Sequence, residues 1–209
     1  MMDIERFKRL PLLGILRGAE LDSIEPLIET VIASGLRTIE ITMNTRDAAE
    51  LIKKTVRLSR KVDGFAVGAG TVIDLKSLKG ALDAGATFIV MPVLIDDVMD
   101  YCAENDIPVF PGGLTPQEIY NAWARGATMV KVFPSGFFGP EYFKELKGPF
   151  NDIPLMACGG VTPQNIKAYF ENGASAVAFG GSVFKKEWLQ KMEFSEIEKL
   201  IKGYLRFFE

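Results

Sequence analysis

The run Gly126-Ala127-Thr128-Met129-Val130-Lys131-Val132-Phe133-Pro134 (GATMVKVFP) decides the fold. It has the apolar, β-branched density of a buried strand and stops at proline. Yet its middle residue is a lysine. A charged ammonium is costly to bury unless it is paired or neutralised. An edge strand can carry a solvated lysine, but a closed sheet has no edge. The question is therefore whether the rest of the chain builds an open sheet or a closed one.

Seven other short apolar runs flank this one: LLGILR (12–17), LRTIEIT (36–42), GFAVGAG (64–70), ATFIVMP (86–92), IPVFP (107–111), IPLMACG (153–159) and SAVAFG (175–180). Helix-length amphipathic segments lie between them, such as 21–35 and 162–173, and several stop at a glycine: Gly35, Gly85, Gly126, Gly173. Glycine at that place relieves a left-handed cap. Thr115-Pro116 and Thr162-Pro163 read as an N-cap threonine with proline at the first helical position. Eight evenly spaced βα units in 209 residues match a single-domain (β/α)8 TIM barrel spanning 1–209. A doubly wound open sheet is the alternative, but it rarely runs to eight uninterrupted units. Met2 to Arg9 is expected to form a short N-terminal helix closing the barrel bottom, and Phe184 to Phe208 the last helix.

Composition narrows the function. A net charge of −3 offers no basic surplus for nucleic acid or a membrane surface. No apolar run reaches the length of a membrane span, and MMDIERFKRLP lacks a signal-peptide pattern, so a cytoplasmic location is expected. Cys102 and Cys158 are expected to be reduced thiols. The chain has no histidine. That removes Ser-His-Asp triads, Cys-His pairs and His-based zinc sites. Proton transfer is left to Glu, Asp, Lys, Tyr, Cys or water.

A barrel strand shows one face to the helices and the other to the interior. Val130 and Val132 suit the helix layer, which turns Met129, Lys131 and Phe133 inward. By the same alternation Ile39 and Ile41 face helices while Glu40 and Thr42 point in. Arg17 ends the first strand, at the mouth where barrel active sites lie. A desolvated lysine near another cation loses proton affinity and becomes a nucleophile toward a ketone or aldehyde. Glu40 could then move protons, and Arg17 could clamp a carboxylate. Glu40 also reads as a structural partner of Lys131 or Arg17. Two glycine pairs, Gly159-Gly160 and Gly180-Gly181 followed by Ser182, end the last two strands, where these barrels commonly bind phosphate.

GILRG (14–18), IEIT (39–42), VGAGTV (67–72), MP (91–92), VFPG (109–112), VKVFPSGFFGP (130–140), GGVTPQN (159–165) and FGGS (179–182) together resemble the class I 2-keto-3-deoxy-6-phosphogluconate (KDPG) aldolases, in order from about Leu10 to Phe184. The resemblance implies a (β/α)8 barrel, assembled as a homotrimer, that splits a phosphorylated keto-deoxy sugar acid into pyruvate and glyceraldehyde 3-phosphate without a metal or other cofactor. It implies Lys131 as the Schiff-base lysine and Glu40 as the proton shuttle. Thr71 would hold the pyruvate carboxylate, Pro92 and Phe133 would pack on the ketoacid, and Gly159, Gly160, Gly180, Gly181 and Ser182 would bind phosphate. Many members carry arginine four residues after the glutamate. Here that residue is Asn44, so the carboxylate falls to Arg17. Before GGV, where gluconate-type members have threonine and galactonate-type members valine, this chain has Cys158, a specificity position. FPSGFFGP leans toward the galactonate branch, and some members also cleave 4-hydroxy-2-oxoglutarate. A phosphate-binding barrel of another enzyme class and a non-catalytic sugar-acid-phosphate binder are the rival readings. Phe137, Phe138, Phe207 and Phe208 are candidates for an apolar subunit interface or for core.

Overall fold

In the computed structural model, which describes residues 1–209, every predicted run forms a strand and all pair in parallel. They are β1 (Leu12–Leu16), β2 (Thr38–Thr42), β3 (Ala66–Gly70), β4 (Ile89–Val90), β5 (Val109–Phe110, continued by Gly112–Gly113), β6 (Val130–Val132), β7 (Leu155–Cys158) and β8 (Ala176–Phe179). β1 pairs with both β2 and β8, so first and last strands meet. Closure on the other side runs through β5. Its first half pairs with β4, Val109 opposite Ile89, and its second half with β6, Gly112 opposite Lys131. Pro111 divides the halves because it has no N–H for the ladder. Its carbonyl still accepts the Lys131 N–H at 2.9 Å, which pins the lysine backbone.

The alternation predicted from sequence sorts the core into two shells. Val130, Val132, Ile39 and Ile41 join the layer between strands and helices. Met129, Met156, Phe88 and Phe110 fill the lower barrel interior. Helix α1 (Ile4–Arg9) closes that end: Phe7 meets Phe110 edge-on at 6.0 Å, and Phe110 meets Phe88 at 5.8 Å. Apolar packing thus fills most of the bottom half, while the buried charged groups Glu40 and Lys131 stand higher in the barrel.

The helices between strands are α2 (Ile24–Ala33), α3 (Ala48–Ser59), α4 (Leu75–Asp83), α5 (Asp96–Glu104), α6 (Pro116–Ala124), α7 (Glu141–Lys147) and α8 (Ile166–Glu171). Thr115 caps α6 as its sequence predicts, in a capping box with Glu118. Thr162 does not cap α8. That helix begins at Ile166, and the side chain of Asn165 accepts the Thr162 N–H at 2.7 Å while donating to the Gly160 carbonyl at 3.0 Å. The asparagine ties up the turn that proline would otherwise have started as helix. The tail is not one helix either. It forms α9 (Lys186–Lys191) and α10 (Phe194–Leu205), separated at Met192, which takes a left-handed φ of 56°. Tyr204 on α10 stacks on Phe179 at 4.3 Å and donates its hydroxyl to the Val161 carbonyl at 2.8 Å, bracing both glycine-rich loops from behind. No helix is long and apolar enough to cross a membrane.

Candidate active site

Lys131 stands in the middle of β6 with 7% of its surface exposed. Its Nζ lies 5.2 Å from the centroid of the Phe133 ring, within cation–π range. Glu40, in the middle of β2, is 1% exposed. Gly70 on the neighbouring strand makes its place: a Cβ there would fall 2.2 Å from Glu40 Oε1. Glu40 Oε2 has no hydrogen-bond partner, and the carboxylate makes no direct ion pair with Lys131 or Arg17. Burial raises its pKa to about 7, while the charges of Lys131 and then Arg17 pull the other way. The carboxyl is therefore held near the middle of its titration at neutral pH. That is what proton transfer in both directions requires, and a salt-bridged structural carboxylate would titrate far lower.

Arg17 reaches over this pair from the end of β1 and donates to Thr71 Oγ1 at 3.4 Å. Thr71 follows β3 with φ of 54°, a left-handed conformation that a β-branched residue rarely adopts. Such strain is held in place only where the surroundings over-determine it. Gly18 N–H donates to Thr45 Oγ1 at 3.1 Å, and Thr45 is 2.9 Å from Thr42 Oγ1. Two inward threonines thus tie the loop bearing Arg17 to the strand bearing Glu40.

Arg17, Thr71, Pro92, Lys131, Phe133, Cys158, Gly159, Gly180 and Gly181 line one cavity of about 550 Å³ at the C-terminal mouth. Cys158 is buried beside Lys131. Burial raises its thiol pKa, and the lysine charge works against that rise. Three predicted residues do not line the cavity. Glu40 is buried behind its wall, close enough to Lys131 and Arg17 for both charges to act on it. Gly160 packs against the turn after β6, where a Cβ would fall 2.5 Å from the Gly136 Cα. That packing is helped by Ser135 Oγ donating to the Gly159 carbonyl at 2.7 Å. Ser182 sits on the exposed shoulder of the β8 loop. The N–H groups of Gly181 and Ser182 donate to no carbonyl, whereas the Gly180 carbonyl accepts from Val183 and Phe184 at 2.9 and 2.8 Å. The loop is fixed and leaves donors free.

A buried amine, a carboxyl poised near neutrality, an arginine and a glycine-lined far end thus share one barrel mouth. The family model for KDPG and KHG aldolases matches residues 4–200. The chain belongs to this family. It is an aldolase, a carbon–carbon lyase. It is 30% identical to the 2-dehydro-3-deoxy-phosphogluconate aldolase of Pseudomonas aeruginosa, over 95% of this chain and 88% of that protein. It is also 30% identical to the 2-dehydro-3-deoxy-6-phosphogalactonate aldolase of Escherichia coli, over 94% and 95%. The crystal structure of the 2-keto-3-deoxy-6-phosphogluconate aldolase of Zymomonas mobilis superposes with a TM-score of 0.82 at 28% identity, over 97% and 96%.

Sequence reasoning missed several residues that line the aldolase cavity: Ile15, Gly18, Ala178, Phe184 and Lys186. Ile15 and Ala178 were legible, since they alternate with Leu16 and Val177 of the helix-facing layer. Lys186 carried no strand pattern to find it by.

Proposed function

We propose that this aldolase works through a Schiff base on Lys131 and cleaves 2-keto-3-deoxy-6-phosphogluconate to pyruvate and D-glyceraldehyde 3-phosphate. The observation that carries the reading is the buried Lys131 amine facing a Glu40 carboxyl held at about 7. The unprotonated amine adds to the C2 ketone, and the carbinolamine loses water to give an iminium. Glu40, as carboxylate, takes the C4 hydroxyl proton. The C3–C4 electron pair moves into the iminium, leaving an enamine and releasing the aldehyde. Glu40 then gives its proton to the enamine carbon, and water frees pyruvate and the amine. The iminium is the electron sink, so no step calls on a metal or an organic cofactor.

In this scheme Arg17 and Thr71 hold the keto-acid carboxylate. Pro92 and Phe133 pack on its carbon chain, and Cys158 sits beside the reacting centre, where it would influence the choice of epimer. Gly159, Gly180, Gly181 and the Ser182 N–H approach the phosphate, with Gly160 supporting the loops. Removing the guanidinium takes away a charge-assisted clamp made in ground and transition states alike. Arg17→Met is therefore expected to raise KM for the keto acid by about 30-fold with little loss of kcat. Arg17→Lys recovers only part of this, because an ammonium lacks the planar fork. Steady-state kinetics on the two variants decides it; an unchanged KM removes Arg17 from the carboxylate site.

The substrate itself is tested by incubating the protein with the gluconate acid, its galactonate epimer and 4-hydroxy-2-oxoglutarate, and measuring pyruvate release. The epimer is included because gluconate and galactonate relatives match at the same 30%. Pyruvate released fastest from the gluconate acid supports the proposal. Faster release from another substrate moves the assignment to that one, and none from any of the three sinks it. A homotrimer belongs to the same reading. Phe137, at 87% exposed, follows β6 as free apolar surface, and Phe138, 56% exposed, packs one side on Tyr142 at 5.0 Å. Phe207 and Phe208 instead pack on Phe170 at 5.1 and 5.6 Å. Sedimentation at three times the chain mass would support the trimer, and a monomer would refute it.

A further inference from the structure

Three cations line the cavity: Arg17, Lys131 and Lys186. Arg17 and Lys131 lie close enough to Glu40 for both charges to act on it, and Lys186 is absent from that group. Lys186 opens α9 and lines the cavity next to Gly180 and Gly181. It forms no ion pair and no hydrogen bond within the protein, so its charge is uncommitted. Its neighbour Lys185 is committed, with Nζ 4.2 Å above the Trp188 ring. The segment between strand and lysine is rigid. Phe184, 4% exposed, stacks on Phe179 at 6.4 Å, and its N–H is bonded to the Gly180 carbonyl. The free N–H groups of Gly181 and Ser182 stand on this segment. Uncommitted backbone donors beside an uncommitted ammonium make a place for a compact dianion.

We infer that Lys186 is the cation of the phosphate end and sets this aldolase's preference for phosphorylated over unphosphorylated aldehyde partners. The inference rests on the Schiff-base reading above for the direction in which substrate lies. Glycine N–H groups alone supply dipoles, which favour an anion but discriminate weakly by charge. An ammonium adds a full charge and three donors on a stem long enough to follow the phosphate as the aldehyde departs. Because Lys186 is exposed, its contribution is screened by salt and is modest.

Inorganic phosphate is the first probe. Its Kd is read from the concentration dependence of Tm at constant low ionic strength, with unaltered protein, Lys186→Ala and Lys185→Ala. Lys186→Ala is expected to weaken phosphate binding about tenfold, the scale of one charge-assisted contact at a wet site. Lys185→Ala leaves it unchanged. In the condensation direction, pyruvate is joined to D-glyceraldehyde 3-phosphate or to D-glyceraldehyde. The ratio of the two kcat/KM values falls by about the same factor in Lys186→Ala and returns in Lys186→Arg. No phosphate binding by the unaltered protein, equal weakening by both alanine variants, or an unchanged ratio overturns the inference. The phosphate measurement needs no turnover. Absence of aldol product from unaltered protein would sink the Schiff-base reading while the role of Lys186 was still decided.

Discussion

Lys131→Ala is expected to abolish carbon–carbon cleavage, lowering kcat by about 10⁶-fold, the scale on which loss of a covalent nucleophile acts. No other amine replaces it, since Arg17 is a guanidinium and Lys186, the other lysine of the cavity, is exposed and absent from the charges that act on Glu40. The fold survives because the change removes a buried charge rather than apolar packing. The neighbours Val130 and Val132 keep the strand in the helix-facing core. The measurement is intact-protein mass after incubation with pyruvate and borohydride. Unaltered protein gains one reduced pyruvyl adduct, and Lys131→Ala gains none while keeping its circular dichroism and melting transition. An adduct in the variant would place the amine elsewhere, and retained turnover would end the covalent scheme. The variant also leaves a trace at Glu40. The lysine charge is the larger of the two effects lowering that carboxyl, so its removal drives the Glu40 pKa further upward.

The eight strands were legible because each carries its own local pattern, and their inward faces followed from strict alternation. That alternation puts Lys131 and Glu40 inside, because a charged residue flanked by β-branched neighbours has only one other side to face. Legibility failed where tertiary contacts override local signals. Met192 turns left-handed without the glycine that usually announces such a break, so the tail looked like one helix. Gly160 and Gly180 look alike in sequence, each in a glycine pair after a strand. Only packing tells them apart: one is pressed on Gly136 and the other faces the cavity. Lys186 was invisible for the opposite reason. It is an ordinary surface lysine by pattern, and only the fold of the β8 loop carries it to the mouth.

Glu40→Gln separates chemistry from structure at the same site. The amide keeps the shape but neither takes nor gives a proton, so turnover is expected to fall by about 10²–10⁴-fold, the usual contribution of a general acid–base group. The pyruvyl adduct with borohydride still forms, because Lys131 is intact. For unaltered protein, cleavage needs Glu40 ionised, so kcat/KM rises with pH through about 7. In Glu40→Gln that limb is lost. Stability carries the opposite sign. The folded carboxyl titrates at about 7 against 4.5 for the free group, so between those values the unfolded chain has already released the proton. The native state binds more protons there, and unfolding free energy falls as pH rises through the window. Below it the penalty is absent, and above it the penalty is complete. Glu40→Gln has no such group, so its denaturant midpoint should fall less between pH 4.5 and 7 than that of the unaltered protein. A variant that lost stability at every pH equally, kept the kinetic limb near pH 7 and kept its turnover would show Glu40 to be a structural partner of Lys131. Loss of the limb together with the flatter stability profile would show that the barrel tolerates a buried carboxylate because the reaction needs one that titrates at working pH.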